Sequence, residues 1–577
     1  MDKRGKLILT GMAILLIIAA TVSAAPPHPQ LLENIRQTNA ELPYALAHRA
    51  ELLSRGVDAP GADGAVRLLA KQAHAEVVSS YNLLCIMVEF TDKAAAVPAA
   101  EFDDLLFSTN PPSVRHFYDE VSYGRLDLVT VNLPSETDWL TAPQTYGYYC
   151  GGASGLGFYP TNCQKLVEDL VNLVDPLVNF ANYDNDHDGW VDGLTIVHSG
   201  KGAEAESSPA LTNFLIWSHK WSTSAPMSKD GKLIFDYSIQ PEYVFSPGDA
   251  TIGVFCHELG HAIFGLPDLY DTDYSSNGLG QWSLMATGSW NGPALMGSSP
   301  AHFDAWSRVQ CGFTDAHNVT ANVAGQPIPA IETDSAGVLR LWSNGTLGSQ
   351  YFLVENRQRV GYDSYLPGEG LLVYHIDDGV GTDNDNEWYP GHFWSGHYRV
   401  ALEQADNLYQ LEKLQSYGDA ADAFPGTTGA DAFTSITAPA ATSYAGEATL
   451  VGITNISASA PVMFADLAVQ LVAGVDDYDY DPLLPDEFSL EQNFPNPFNP
   501  STRITFELPT AAEVELAVYN LLGERIESLV AGTLPAGQHS ISWTAVDESG
   551  HSLSSGLYLY RLTTGGLSLT RKMLLLK

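Results

Sequence analysis

The stretch that decides the fold is residues 255–270, which read FCHELGHAIFGLPDLY. Its apolar residues Phe255, Leu259 and Ile263 recur at helical spacing, which predicts a helix with one buried face. Residues 246–249 (SPGD) are expected to begin that helix. Serine is a preferred capping residue, proline suits the first turn, and an acid is favourable near a helix N-terminus.

Two histidines on this helix have the spacing of metal ligands. His257 and His261 are four positions apart, so both imidazoles project from one side of the helix. Gly265 allows a left-handed helix end and Pro267 prevents continuation, so the chain must turn and present Asp268 just beyond. Two histidines and a carboxylate, with an open fourth position, predict a catalytic zinc site. The alternative is a structural pair of histidines.

Three motifs carry a resemblance to a known family. They are HELGHAIFGLPDLYD (257–271), GQWSLMATGSWNGP (280–293) and SPAHFDAWSRVQCGF (299–313). Together with further matches over residues 80–470 they resemble the immune inhibitor A-like family of secreted bacterial zinc metallopeptidases. The resemblance implies an α/β, metzincin-like peptidase domain within a multidomain chain, in which Met285 forms the Met-turn beneath the metal.

The family also implies a chemistry. A secreted zinc endopeptidase would hydrolyse protein or peptide substrates through a zinc-activated water, with Glu258 as the general base. Glu258 is rotated about 100° from His257 on the helix, so it lies near the metal without being a required ligand. Relative to many family members Phe264 adds one residue before Asp268, which leaves a distant glutamate as an alternative third ligand. Tyr270 is interpreted as a packing residue, with an oxyanion contact as the alternative.

A second function class is a catalytically silent surface protein that uses a peptidase-like fold for adhesion or binding. The sequence feature that separates the two classes is Glu258, because binding alone has no use for a general base. Its presence favours the enzyme.

An acidic loop predicts a structural calcium site. Alternate acids around a tight glycine turn can converge their oxygens on calcium, and the pattern D-x-D-x-D-G-x-x-D supplies Asp184, Asp186, Asp188 and Asp192. The alternative is a solvated acidic turn. Asp419 and Asp422 form a weaker second candidate for calcium.

Composition and the N-terminus point to export. The chain has 577 residues, with 28 Lys and Arg against 68 Asp and Glu, a net charge of −40. Such a surface repels nucleic acid and anionic lipid, which excludes both as expected partners. Basic residues, an apolar run and small residues predict a signal peptide over residues 1–24. No later segment is long and apolar enough for a transmembrane anchor.

Changes in hydrophobic pattern and composition along the chain predict several further regions. Residues 25–79 are interpreted as a pro-segment and linker, or as an ordinary N-terminal extension. The peptidase domain is expected over 80–320, and alternating short strands predict a β-rich module over 321–470. An acidic linker is expected over residues 471–486. It precedes a predicted Ig-like β-sandwich over residues 487–577, which is called the tail below.

The tail resembles the C-terminal sorting domain of type IX secretion cargo. That resemblance implies the type IX machinery as a partner and a location outside the cell, either secreted or on the outer-membrane surface. The alternative is an Ig-like module with no sorting role.

Five cysteines are present, and export makes disulfides possible. Cys150 and Cys163 are close in sequence and are the natural pair, whereas the partners of the other three stay open.

Overall fold

The computed structural model describes residues 25–57, 80–469 and 488–576, except for residues 39, 343, 344, 346, 382, 383, 391, 393–395, 491, 494, 509–511, 521–523, 535, 536, 547–552, 565 and 566. The predicted signal peptide and acidic linker lie outside the described residues. The chain divides into two compact units, Met1–Leu471 and Val472–Lys577. Within the described residues, no helix has the length and apolarity needed to cross a membrane.

A five-stranded sheet forms the centre of the peptidase region. The first seven strands are β1 (Ser80–Asn82), β2 (Leu84–Glu89), β3 (Asp127–Val129), β4 (Trp139–Thr141), β5 (Leu194–Lys201), β6 (His219–Lys229) and β7 (Lys232–Tyr243). The sheet order is β4-β2-β5-β7-β6. Its strands pair in parallel except for β6, which runs antiparallel to β7. Strands β1 and β3 form a separate parallel pair.

The sheet is covered on both faces, which explains why its central strands are almost wholly apolar. Along β2, Cys85 and Met87 join the core that contains the helix of the two histidines. Leu84, Ile86 and Val88 join the core on the opposite face. The helices of the region are Ala100–Phe107, Val114–Val121, Pro134–Thr137, Tyr146–Cys150, Cys163–Val174, Pro209–Thr212, Gly253–Phe264 and Ala305–Cys311.

The helix Gly253–Phe264, called the site helix below, begins later than the sequence predicts. The prediction that residues 246–249 start it is wrong. Both carboxylate oxygens of Asp249 accept hydrogen bonds from the preceding backbone, including 2.8 Å from the N–H of Val244 and 2.8 Å from that of Ser246. Asp249 therefore closes a turn, and Gly248 at φ +89° cannot continue a helix.

Residues 25–57 form three short helices that pack on the peptidase sheet. They are α1 (Pro29–Thr38), α2 (Tyr44–Ala47) and α3 (Arg49–Ser54). Leu31, Leu46 and Leu52 are buried in the same core as the face of β2 that carries Leu84. This part of the predicted pro-segment is thus docked against the domain that follows it.

The β-rich region has the strands that the alternating pattern predicts, and it shares a core with the peptidase region. Leu353 and Tyr374 belong to the same apolar cluster as Leu259 and Met285. The strands are β8 (His317–Val319), β9 (Val323–Pro329), β10 (Leu339–Trp342), β11 (Gln350–Arg357), β12 (Gly370–Asp377), β13 (Val400–Leu402), β14 (Gly452–Thr454) and β15 (Val462–Ala468). They form two sheets, β13-β12-β11-β10-β8 and β14-β15-β9.

The second unit consists of two antiparallel sheets around one apolar core. Its strands are β16 (Ser489–Leu490), β17 (Ser501–Leu508), β18 (Ala512–Tyr519), β19 (Arg525–Leu534), β20 (Gly537–Thr544), β21 (Gly556–Thr564) and β22 (Leu567–Leu575). The sheet orders are β16-β17-β20 and β19-β18-β21-β22. Phe506 of one sheet and Val518 of the other are fully buried in the shared core.

The prediction of a disulfide between Cys150 and Cys163 is wrong. All five cysteines are free thiols. Both thiols are buried, and Cys150 Sγ lies 3.3 Å from the carbonyl oxygen of Asn213, which accepts its hydrogen bond. Burial raises the pKa of Cys150 to about 11, so the thiol form is favoured at neutral pH.

Candidate metal centre

The site helix and the turn after it bring together the three predicted ligands. Gly265 takes φ +64° at the helix C-terminus, as the sequence predicts, and its N–H bonds the carbonyl of His261 at 2.9 Å. The reversed chain then places Asp268 against the two histidines. All three side chains are buried, His257 fully and the other two to within 3%.

The ligand atoms of these residues converge on one point. His257 Nε2 and His261 Nε2 are 3.1 Å apart. Asp268 Oδ1 lies 3.1 Å from the first of these nitrogens and 3.3 Å from the second. Tetrahedral ligands around a zinc ion at Zn–N distances of about 2.0–2.1 Å would lie roughly 3.3 Å apart. The separations therefore suit a single ion of that size.

Backbone carbonyls fix the orientation of both imidazoles. His257 Nδ1 lies 2.9 Å from the carbonyl oxygen of Leu284, and His261 Nδ1 lies 2.7 Å from that of Leu266. A neutral imidazole that donates from Nδ1 keeps Nε2 as an acceptor, the form that binds metals. Two acceptor nitrogens and a carboxylate oxygen then face one another in a buried space, which is unfavourable without a cation between them. The donor set therefore fits zinc.

The charge states agree with this arrangement. Burial is the main cause that lowers the pKa of His257, which favours the neutral ring. Burial acts to raise the pKa of Asp268, but the adjacent His261 and His257 outweigh it and lower that pKa to about 2. Asp268 is therefore an ionised carboxylate at neutral pH, which is the form that binds a metal.

Met285 lies directly beneath the site helix. A Cβ added at Gly260 would lie 2.7 Å from Met285 Sδ, so the glycine is what permits this close approach. Met285 is fully buried, and its carbonyl accepts a hydrogen bond of 2.8 Å from the N–H of Leu269, next to Asp268. The predicted Met-turn residue thus supports both the helix and the ligand loop.

Gly253, the first residue of the site helix, provides a test of this packing. A Cβ there would lie 1.9 Å from the carbonyl oxygen of Ser289. Helix propensity alone would make Gly253→Ala stabilising by about 1 kcal/mol, but overpacking against backbone costs about 1–3 kcal/mol. We expect a net loss of up to about 2 kcal/mol in the free energy of unfolding, measured by urea denaturation. A gain in stability would contradict the close contact.

Glu258 and Tyr270 complete the surroundings of the ligands. Glu258 is fully buried on the site helix, beside His257 in sequence. Tyr270 is 3% exposed and lies within the apolar core, where its ring stacks on Tyr274 with centroids 6.0 Å apart. The Tyr270 ring also lies 6.4 Å from that of His257, so its packing role stays a prediction.

The predicted calcium loop is partly assembled. Asp184, Asp186 and Asp188 each place a carboxylate oxygen within 4.8 Å of the others. Asp192 lies outside this cluster and accepts a 2.6 Å hydrogen bond from the N–H of Asn185. Lys232 Nζ is 2.5 Å from Asp184 Oδ2, so that oxygen already faces a cation.

The weaker acidic candidate gains one member that the sequence pattern did not reveal. Asp406 joins Asp419 and Asp422, with carboxylate oxygens within 4.8 Å of one another. Asp422 Oδ2 accepts hydrogen bonds from the indole of Trp282 at 2.9 Å and from the N–H of Asp419 at 2.8 Å. Burial is the main cause that raises the pKa of Asp422 to about 7. Asp422 Oδ2 is thus hydrogen-bonded within the protein, and calcium binding by this cluster stays a prediction.

Arg49 is a residue of the site that the sequence did not reveal. It comes from α3, and its Nη2 lies 3.9 Å from Asp268 Oδ2. More than 200 residues separate the two positions in the chain, and no spacing pattern connects them.

With this geometry established, comparisons with known proteins bear on the site. Residues 99–312 match the immune inhibitor A peptidase M6 catalytic domain. This M6 region contains the site helix, the three converging ligands and Met285. A second match, to the FlgD Ig-like domain, covers residues 494–566, in agreement with the β-sandwich of the second unit.

Two relatives support the M6 family for this region. Pre-pro-metalloprotease PrtV of Vibrio cholerae serotype O1 is 31% identical over 247 residues, 36% of this chain and 25% of the relative. Immune inhibitor A of Bacillus thuringiensis subsp. alesti is 33% identical over 219 residues, 33% of this chain and 30% of the relative. The chain thus spans less than a third of either relative. Among solved structures, dimeric latent PorU from Porphyromonas gingivalis covers 20% of this chain at 20% identity, with a TM-score of only 0.14.

Proposed function

We propose that the protein is a secreted zinc metalloendopeptidase that hydrolyses peptide bonds of extracellular proteins. The observation that carries the proposal is the convergence of His257, His261 and Asp268 in a buried space that requires a cation. The match of residues 99–312 to a peptidase catalytic domain supports the same conclusion. A metzincin-like fold is part of the proposal, supported by the antiparallel edge strand β6 and by Met285 under the site helix.

The chain's own residues would divide the chemistry among them. His257, His261 and Asp268 would hold the zinc ion, which when bound lowers the pKa of water and polarises the scissile carbonyl. Glu258, on the same helix turn as His257, would accept the proton of the attacking water and pass it to the departing amine. The carbonyls of Leu284 and Leu266 keep the two imidazoles in the orientation that ligation needs.

The competing function is a catalytically silent adhesion protein. Glu258 weighs against it, because a binding protein has no need for a fully buried carboxylate beside the metal ligands. Burying a carboxylate carries a free-energy cost, and the peptidase function is the one of the two that makes use of this group.

Casein or a quenched fluorescent peptide provides the test. Purified protein is assayed before and after limited proteolysis in the predicted pro-segment, with and without a zinc chelator. We expect hydrolysis that the chelator abolishes and added zinc restores. Zinc-loaded, trimmed protein that cleaves no substrate would leave the adhesion function as the better account.

We also propose calcium binding at Asp184, Asp186 and Asp188, supported by their convergence. Saturation at about a hundred times Kd would stabilise the fold by about 2.7 kcal/mol. At constant zinc, added calcium should therefore raise the melting temperature of this large unit by about 3 °C. The shift should vanish in the double variant Asp186→Asn/Asp188→Asn, and an equal shift in that variant would refute the site.

For the tail we propose the sorting function that its sequence implies, with the type IX machinery as partner. Its support is the resemblance of residues 487–577 together with the observed β-sandwich. Removal of this tail should leave the protein unexported in a host with that machinery, and normal export without it would favour a plain Ig-like module.

A further inference from the structure

A small pocket lies beside strand β13, at the edge of the larger sheet of the β-rich region. Four aromatic side chains and two carboxylates form most of its walls, and they belong to Trp388, Tyr398, Tyr409, Tyr444, Glu403 and Glu412. This site is called the aromatic pocket below. Its volume is about 20 Å³. A water molecule needs about 10–15 Å³, so the space suits one group of that size.

Neither carboxylate of the aromatic pocket faces a lysine or an arginine within its walls. Glu412 is 4% exposed, and its Oε2 accepts a hydrogen bond of 2.6 Å from the neutral side chain of Gln404. Glu403 Oε1 lies 3.3 Å from His375 Nδ1, a ring that is positive only when protonated. None of the described residues that line the pocket is a lysine or an arginine. The pocket therefore presents negative charge that its described walls do not balance.

The pKa of Glu412 reflects this excess of negative charge. Burial is the main cause that raises its pKa to about 8, and the charges of Glu403 and Asp422 add to the effect. The hydrogen bond from Gln404 opposes the rise without cancelling it. A cation in the pocket would favour the ionised form of Glu412.

Tyr444 turns its edge and its hydroxyl, and not its ring faces, to the pocket. The imidazoles of His375 and His397 stack on its ring, with centroid distances of 4.0 and 3.6 Å and interplanar angles of 6° and 17°. Two parallel rings this near to one centroid must cover opposite faces. The Tyr444 hydroxyl oxygen is buried and has no hydrogen-bond partner in the part of the chain that the structure describes. It can therefore accept a hydrogen bond from an occupant of the pocket.

The other aromatic walls can stabilise a cation. Trp388 is 36% exposed and so lies at the rim, whereas Tyr398 is 1% exposed. The faces of tryptophan and tyrosine rings attract cations, and more strongly where water is excluded. Tyr409 already has an internal cation near its ring, because Lys413 Nζ lies 5.4 Å from the ring centre. That ammonium donates its hydrogen bond to the carbonyl of Leu408.

The size and the polar atoms of the pocket distinguish among cations. Calcium takes about six to eight oxygen ligands, more than two carboxylates and a hydroxyl supply. A trimethylammonium group is much larger than a water molecule and has no N–H to donate. A primary ammonium group is close to water in size and has three N–H donors. These donors match in number the acceptors Glu403, Glu412 and Tyr444.

We propose that the aromatic pocket binds a primary ammonium group, such as the one that ends a lysine side chain. The inference goes beyond the peptidase function and does not depend on it. The hydroxyl of Tyr398 is hydrogen-bonded to that of Ser276, which connects the pocket to the ligand loop. A protein held by one of its lysines would therefore be bound beside that loop.

Isothermal titration calorimetry of the full chain with butylammonium chloride tests the site, with tetramethylammonium and potassium chloride as comparators. The titrations are made at about pH 8.5, because an alkylammonium with a pKa of about 10.4 keeps its proton there. The variants are Glu412→Gln and Trp388→Ala. The matched control is Glu447→Gln, which removes an exposed carboxylate three residues from Tyr444. Thermal unfolding verifies each fold, and Trp388→Ala, at the rim, serves if Glu412→Gln does not fold.

We expect saturable binding of one butylammonium per chain, with the two comparator cations at least about tenfold weaker. Glu412→Gln should weaken butylammonium binding by about tenfold or more, because a hydrogen bond to a charged group is lost. Trp388→Ala should weaken it by about two- to fivefold. Glu447→Gln should match the wild type within about twofold, since salt screens an exposed charge. Absence of saturable binding, equal binding of either comparator, or full affinity in folded Glu412→Gln would each overturn the inference.

A second titration identifies the source of the ammonium group. The probes are a blocked lysine, Nα-acetyl-lysine methylamide, and the same compound acetylated at Nε. Binding of the blocked lysine at least as tight as that of butylammonium assigns the pocket to a lysine of a protein. Binding of butylammonium alone supports the site and assigns it to a free amine. Equal binding of the Nε-acetylated compound, which has no positive charge, would overturn the inference.

Discussion

Glu258→Gln is expected to lower peptide hydrolysis by about 10²–10⁴-fold while zinc stays bound. Glutamine has nearly the same shape as glutamate, so it preserves the packing of this fully buried position but cannot accept a proton from water. The measurement is kcat/KM for a fluorogenic peptide, using protein trimmed by limited proteolysis as in the casein assay, together with the zinc content of the same samples.

The matched control is Glu101→Gln, which removes one exposed carboxylate from the same region. It should retain wild-type kcat/KM. Zinc-loaded Glu258→Gln with full activity would show that another group performs the proton transfer, and the assignment of Glu258 as general base would be wrong.

Asp268→Ala is expected to weaken zinc binding by at least about 100-fold, since even partners of zinc ligands contribute 10–100-fold to affinity. The alanine removes the oxygen that lies 3.1 and 3.3 Å from the two Nε2 atoms. It also removes the carboxylate that lies 3.9 Å from Arg49. Competition with a chromogenic chelator gives the dissociation constant.

The control for Asp268→Ala is Asp273→Asn, an exposed acid five residues further along the ligand loop. Its zinc affinity should equal that of the wild type. Full zinc stoichiometry and affinity in Asp268→Ala would instead favour a distant glutamate as third ligand.

The parts of the site that were predictable from sequence are those set by local geometry. The four-residue spacing of His257 and His261 is a property of any helix, and the helix end at Gly265 follows from glycine's access to positive φ. Successive side chains of β2 point to opposite faces of the sheet and enter different cores, which is likewise a local property of any strand. For Asp268 the sequence supplied the position just past the turn, and the structure places it against both histidines.

The parts that sequence could not predict depend on which of several possible hydrogen-bonding, bonding or packing partners a side chain contacts in the folded protein. The SPGD stretch has good capping residues, but the Asp249 carboxylate bonds the backbone before it, so the helix begins at Gly253. Cys150 and Cys163 are close in sequence, yet each remains a free buried thiol. Arg49 and Asp406 reach their clusters only through tertiary packing, which no local pattern records.

The most direct test of the metal centre is elemental analysis of well-folded, zinc-replete protein after extensive dialysis. The geometry of His257, His261 and Asp268 predicts one tightly held zinc ion per chain. The double variant His257→Ala/His261→Ala should retain none, provided that circular dichroism shows the same fold. Wild-type protein that holds no transition metal, or a double variant that holds as much as the wild type, would contradict the account.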